Sequence, residues 1–268
     1  MNNLEEVAKN IRRKIVDMIY RAQSSHVGCS LSSADIWTAL YFGGVMNISP
    51  DTFEDENRDR LVLSKGHGVS AFYATLSERG FFGDEILKEY GKDGTTLASH
   101  IVKDVLPGAE TSNGSGGHGL SLGVGMAKAA KIRDLSYRTF VLSGDGEMEE
   151  GSVWEAMLFA GQHKLDNLVL IVDRNHLQDG KDGQRTEDIL DIEDLEKKAE
   201  AFKWDSVRVD GHSFDELIPA LKETSDKPRM IIAETIKGKG VSYMEDRGEW
   251  HGKAPDEDEY KIAMEELT

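Results

Sequence analysis

The sequence predicts an α/β fold, a doubly wound and mostly parallel sheet flanked by helices, with residues 1–268 forming one domain. Three observations carry that reading. Five short apolar runs recur at 60–63, 139–142, 167–172, 206–209 and 230–233, with helical patterns between them. Several runs stop at glycine-bracketed polar residues, as strands do at a ligand-facing edge. Finally, Asp145 follows the second run and Asn175 the third, an interval that suits one βαβ unit of roughly 30 residues.

Taken in order, residues 3–23 place Leu4, Val7, Ile11, Ile15, Met18 and Ile19 at three- and four-residue steps, the pattern of a long helix with one buried face. Residues 24–30 read as a small-residue loop holding His26 and Cys29, and Ser32 or Ser33 as the cap of a helix through Trp37 and Leu40. An acidic loop over 51–59 leads to the first strand, which ends at Ser64-Lys65-Gly66-His67-Gly68 and is followed by a helix over 69–76. Residues 95–107 show no period and hold His100. The most glycine-rich stretch, 112–119, allows close backbone approach to a ligand and precedes a helix over 120–132.

The stretch 138–179 reads as strand, turn, helix, strand. Its first strand stops at Gly144-Asp145-Gly146, its helix has apolar positions at Val153, Met157 and Leu158, and its second strand ends at Asp173-Arg174-Asn175. Two further strands, 206–209 and 230–233, flank a helix over 214–222. A polar tail carries Lys237-Gly238-Lys239-Gly240 and Trp250-His251-Gly252, and an acidic helix closes the chain.

Composition excludes some functions. A formal charge of −17 leaves no basic excess for nucleic acid or an anionic membrane, so any phosphate must be gripped locally. Cys29 is the single cysteine, the N-terminus is charged and amphipathic, and no apolar run approaches the roughly 20 residues that span a bilayer. A reducing, cytoplasmic setting is expected.

Parallel strands of one βαβ unit end at the same edge, so Asp145 and Asn175 converge on one cation. Gly-Asp-Gly alone is as often a plain turn; its pairing with Asn175 favours a ligand. Carboxylate and amide oxygens are hard donors suited to Mg²⁺ or Ca²⁺, and a metal held by two side chains calls for a phosphorylated ligand. His26, His67, His100 and His251 lie in loops beside small residues, where neutral imidazoles can donate hydrogen bonds or move protons near pH 7. For His163, His176 and His212 an ordinary surface or hydrogen-bonded role is the better reading, and zinc-type ligand spacing is absent. Glu147 and Glu149 need no more than the positive end of the following helix.

Together GDGEMEEGSVWEAM and KLDNLVLIVDRN, with RLVLSKGHG, KGKGVSYMED and WHGKAP, closely resemble the N-terminal, diphosphate-binding half of transketolase over nearly the whole chain. The resemblance implies thiamine diphosphate and Mg²⁺, with Ca²⁺ able to substitute. It implies that Asp145, Asn175 and the carbonyl of Leu177 bind the metal and that the Gly146 N–H meets the diphosphate. His67, Lys237 and His251 correspond to cofactor contacts, and the backbone of Gly114-Ser115-Gly116 to the loop beside the aminopyrimidine. His26, His100 and His251 match sugar-facing histidines, and Glu150 an acid in a network linking two active sites across a dimer.

In that family a two-carbon ketol unit passes from a ketose phosphate to an aldose phosphate. Three local departures stand out: Ser115-Gly116-Gly117-His118 replaces the usual small-Leu-Gly-Gln, Cys29 stands where a serine often lies, and His100 lacks a Gly-His-Pro setting. The pyrimidine-binding and C-terminal domains have no counterpart in the sequence. The resemblance therefore implies the N-terminal subunit of a split transketolase, completed by a C-terminal-half subunit in an α₂β₂ assembly and inactive alone. Two alternatives stay open: a related enzyme for a branched or deoxy sugar phosphate, and a non-catalytic cofactor-binding protein.

Overall fold

Four of the five strands alternate apolar side chains between two layers, so the sheet is covered on both faces except along the edge strand at 205–210, whose Ser206 and Arg208 face is polar. In the computed structural model, which describes residues 3–178 and 184–268, the strands are β1 (Arg60–Leu63), β2 (Thr139–Gly144), β3 (Leu168–Arg174), β4 (Asp205–Asp210) and β5 (Arg229–Glu234). All pair in parallel, in the order β1-β2-β3-β5-β4. The helices among the described residues are α1 (Leu4–Ala22), α2 (Val27–Ser32), α3 (Ala34–Phe42), α4 (Val69–Arg79), α5 (Asp84–Leu87), α6 (Gly119–Arg133), α7 (Gly151–Gln162), α8 (Thr186–Ile189), α9 (Leu195–Ala201), α10 (Phe214–Lys222) and α11 (Glu257–Glu266).

Phe140, Leu142, Val169, Ile171 and Ile231 join the core layer under α1, α3, α4 and α10, whereas Val141, Leu168, Leu170, Val172 and Ile232 join the layer under α6, α7 and α9. That split follows from crossover handedness. The steps β2 to β3 and β3 to β4 run one way along the sheet, and β4 to β5 steps back; right-handed connections then put α7 and α9 on one face and α10 on the other. Close packing is set by absent side chains: a Cβ at Gly123 in α6 would lie 2.3 Å from Val141 Cγ2 of β2.

The expected five-stranded, doubly wound sheet is what the chain forms: β1 coincides with its apolar run, and the other four strands extend one or two residues past theirs at one or both ends. Two local expectations are corrected. Residues 24–30 are not all loop, because α2 begins at Val27 and is buried throughout. Ser33 does sit at the start of α3, but its hydroxyl donates backward to the Ser30 carbonyl (3.1 Å) rather than capping α3. On α7, Val153 and Met157 are buried but Leu158 is 58% exposed. Asp179, where the central stretch was expected to close, lies outside the described residues.

Candidate active site

A parallel sheet delivers the residue after each strand to one edge, and here β1, β2, β3 and β5 all end on polar groups. They open onto a cavity of about 240 Å³ lined by Cys29, Lys65, His67, Gly116, Gly144, Asp145, Gly146, Glu147, Glu150, Asn175, Leu177, Gln178 and His251. A wider cleft of about 640 Å³ lies among Phe53, Arg58, Arg60 and Glu110, away from all the histidines. Its guanidinium groups are already engaged, Arg58 by Glu110 at 2.8 Å and Arg60 by the Glu56 carbonyl at 3.0 Å.

Asp145 follows β2 and is buried. Its Oδ1 accepts from the Gly146 N–H (2.9 Å), and its Oδ2 accepts from the His176 N–H (2.7 Å) and Arg174 Nη1 (3.1 Å). Burial raises its pKa and Arg174 partly offsets the rise. Asn175 closes a tight turn by accepting the Leu177 N–H at Oδ1 (3.2 Å), which brings its amide and Leu177 to the same wall. The Leu177 carbonyl accepts from Lys237 Nζ at 2.9 Å. Lys237 is fully buried, and desolvation lowers its pKa.

Carboxylate, amide and carbonyl oxygens from 145, 175 and 177 thus line one cavity, a hard donor set that fits Mg²⁺ or Ca²⁺. Gln178 folds over Gly146, its Oε1 2.6 Å from where a Cβ would stand. Among the described residues another carboxylate cluster, Glu193, Asp194 and Glu196, is taken up by Arg208, which bonds Glu193 (2.9 Å) and Glu196 (2.7 Å).

The loop histidines converge. Ring centroids of His26 and His251 are 5.1 Å apart, of His26 and His67 5.5 Å, and of His67 and His251 5.6 Å. His100 packs against the same loops: a Cβ at Gly66 would lie 3.2 Å from its Cδ2 and one at Gly114 3.5 Å. Desolvation, reinforced by Lys65, pushes His67 down to about 4; desolvation and then Lys237 push His251 down to about 2. Burial also lowers His100, with His67 adding to it. Lys237 Nζ lies 2.8 Å from His251 Nδ1; with the lysine donating, the ring proton sits on Nε2. His26 opens α2 with φ +76°, its N–H donated to the His251 carbonyl (2.8 Å), so a backbone conformation rare outside glycine fixes it beside the cluster.

Of the other expected residues, Gly114, Ser115 and Gly116 form an exposed rim, with Gly116 on the cavity, and Glu150 stands exposed at the start of α7. His176 and His212 are hydrogen-bonded, as expected: His176 sits between Glu187 (2.6 Å) and Glu234 (2.7 Å), and His212 between Asp35 (2.6 Å) and the Ile236 N–H (2.9 Å). His163 packs against Phe159 with the rings tilted by 39° and centroids 4.2 Å apart.

Several structural supports had no sequence reading. Lys65 is buried between the Cys29 carbonyl (2.8 Å) and Asp173, and Asp173 also accepts from Ser32 (2.7 Å) and from Thr235. The pair is mutually stabilising, with Asp173 lowered and Lys65 raised by their attraction despite burial. Glu147 is corrected outright. It lies in a separate 3₁₀ turn, Gly146–Glu149, and is buried with four donors on its carboxylate instead of resting at a helix end. The only available signal was position, since both Lys65 and Glu147 sit within three residues of a strand's end.

Comparison with known proteins decides the family. The family described as transketolase, thiamine diphosphate binding domain, matches residues 4–268. The chain belongs to this transketolase domain family. It is 41% identical over 271 residues to an apulose-4-phosphate transketolase subunit of Phocaeicola vulgatus, covering 100% of this chain and 95% of that one. It is 40% identical over 268 residues to the 6-deoxy-6-sulfo-D-fructose transketolase subunit SqwG of Clostridium sp., covering 99% and 96%. Transketolase from Campylobacter jejuni superposes with a TM-score of 0.91 at 31% identity, covering 100% of this chain and 43% of that one. The transketolase domain therefore spans well under half of that solved chain and nearly all of the two relatives named as subunits. No helix among the described residues is long and apolar enough to cross a membrane.

Proposed function

We propose that this chain is the N-terminal subunit of a two-subunit transketolase that moves a two-carbon ketol unit between sugar phosphates, using thiamine diphosphate and Mg²⁺ in the cytoplasm as part of carbohydrate (pentose phosphate) metabolism. One observation carries the reading: four loop histidines, Lys237 and the oxygens of Asp145, Asn175 and Leu177 meet at one edge of the sheet in a transketolase-family domain. When bound, thiamine diphosphate supplies the nucleophilic carbon and the electron sink. Asp145, Asn175 and the Leu177 carbonyl hold the cation, and the Gly146 N–H meets the diphosphate. Lys237 supplies a buried positive charge that balances the phosphate oxygens. His67 and His251, neutral near pH 7 because burial depresses them, bind by hydrogen bonds without adding charge. His26, His100 and His251 face the sugar, orient its hydroxyls and carry protons. The backbone of Gly114, Ser115 and Gly116 borders the aminopyrimidine.

The remaining half of the site comes from a partner subunit with the pyrimidine-binding and C-terminal domains, in an α₂β₂ assembly. Near-complete coverage of relatives named as subunits supports that division. Self-association through the α6–α7 face fits its exposed apolar residues Leu122, Leu158 and Phe159, and Glu150 at the start of α7 is exposed and available for a network between sites. A second reading concerns the sugar: the relatives are named for apulose 4-phosphate and 6-deoxy-6-sulfo-D-fructose, and His118 is exposed beside the loop that departs from the family pattern.

The test is calorimetric titration of thiamine diphosphate with and without Mg²⁺, followed by ketol-transfer assays on a panel of sugar phosphates with and without a C-terminal-half subunit. Cofactor binding should require the metal, Asp145→Ala should weaken it at least about tenfold, and turnover should appear only with the partner. Undiminished binding by Asp145→Ala would sink the proposed metal site. Cofactor binding without turnover on any sugar in the reconstituted pair would favour a non-catalytic role.

A further inference from the structure

Glu147 is the carboxylate on which three separate segments of the cavity wall converge. Its Oε1 accepts from Ser64 Oγ (2.8 Å), just after β1, and from the Gly117 N–H (2.8 Å) in the glycine-rich loop. Its Oε2 accepts from the Gly144 N–H (2.9 Å) and Ser143 Oγ (3.1 Å) at the end of β2. Three of these donors are unshared, the single Ser143 proton having the Gly144 carbonyl as an alternative acceptor at 3.1 Å, and charge-assisted bonds of this kind are the strong ones. A side chain serving only the positive end of a helix needs no partners across the fold.

The loop is held from its other side as well. Ser152 Oγ, in the first turn of α7, donates to the Gly117 carbonyl at 3.1 Å, so both polar groups of Gly117 are pinned by residues of the central unit. Gly117 has φ +78°, and a Cβ there would lie 2.6 Å from Glu150 Cβ and 2.7 Å from Ser152 Oγ. The loop therefore sits against the central unit at a distance only glycine permits. We propose that Glu147 is a positioning residue: its carboxylate fixes the 114–117 loop against the ends of β1 and β2, in the shape that receives the ring end of the cofactor. This rests on the thiamine diphosphate reading of the cavity.

The chemistry makes a sharp variant available. Glu147→Gln keeps the shape but turns one acceptor oxygen into an NH₂ group. Serine hydroxyls can rotate to accept from it, whereas the Gly117 and Gly144 N–H groups cannot, so one of these buried donors must lose its partner.

The experiment uses the full chain with Mg²⁺, titrating thiamine diphosphate and, separately, inorganic pyrophosphate, which probes only the diphosphate end. Hydrogen exchange over residues 112–119 is measured in parallel. Relative to wild type, Glu147→Gln should bind thiamine diphosphate about tenfold or more weakly while pyrophosphate binding changes by less than about twofold, and amide exchange in the loop should accelerate. An equal loss for both ligands, no loss for either, or unchanged loop exchange would each overturn the proposal. Wild-type chain that bound pyrophosphate but never thiamine diphosphate, even with a C-terminal-half subunit added, would instead defeat the cofactor reading, and the exchange measurement would still decide whether Glu147 holds the loop.

Discussion

His67 and His251 are built into a cavity that keeps protons off them, and that costs the fold stability in acid. Unfolded, each imidazole titrates near 6.5; folded, His67 is held near 4 and His251 near 2. Between those values the unfolded chain binds more protons, so stability is present above about pH 6.5 and falls as pH drops, by up to ~1.4 kcal/mol per pH unit for each ring. His176, raised by its bonds to Glu234 and Glu187, acts in a different window, giving stability below about 6.5 that is lost as pH climbs through its folded value. Asp35 and Asp173 are lowered, so their contributions disappear only in stronger acid, while Asp145, raised by burial, works against the trend. Melting temperatures of the cofactor-free chain should fall steadily from pH 6.5 to 4.5, and His67→Asn with His251→Asn should flatten that slope. An unchanged slope would show that neither ring is held neutral. At this scale the sequence was informative about residues with unusual company: histidines among glycines, and an aspartate between two of them. It misread Glu147 and was silent on Lys65, whose roles depend on partners 30 or more residues away, Ser64 and Gly117 donating to the first and Cys29 and Asp173 accepting from the second, and whose charged side chains look like ordinary surface until burial is known.

Gly161, one residue before the end of α7, separates two physical effects of opposite sign. Helix propensity alone would make Gly161→Ala stabilising by roughly 1 kcal/mol. In the packed fold an added Cβ would lie 1.9 Å from the Phe202 carbonyl oxygen, on backbone that follows α9 and leads into β4. Rigid backbone cannot yield as a flexible side chain would, so the variant should instead be destabilised by about 1–3 kcal/mol in urea unfolding. A gain in stability would mean that α7 and the connection behind it can separate freely. The strands and long helices were legible because period-2 and period-3.6 patterns are local. α2 was not: its six residues, VGCSLS, are all buried, so no polar face marks a helical period. The exposure of Leu158 was not legible for the complementary reason, since an apolar residue on a helix says that a face is apolar and not what covers it.

At the scale of the whole molecule, the proposed function has the cavity grip one end of an elongated cofactor with groups of this chain alone: Asp145, Asn175, Leu177 and Lys237 would take the metal and diphosphate, with the imidazoles beside them. If a second subunit supplies the other end, binding of the cofactor and binding of the partner are linked, and the coupling must be reciprocal. The factor by which the partner tightens Mg²⁺–thiamine diphosphate binding must then equal the factor by which the cofactor tightens the association of the two chains. Both can be measured, the first by calorimetry on each form of the chain and the second by sedimentation with and without cofactor. A coupling of 1–3 kcal/mol, or about 5- to 150-fold, is typical for linked sites. Asp145→Ala should remove the cofactor's effect on association while leaving cofactor-free assembly intact, because Asp145 is buried in the cavity wall and its loss removes a cofactor contact. Association that ignores the cofactor would mean that the partner does not touch it, and the division of one site between two chains would then be wrong.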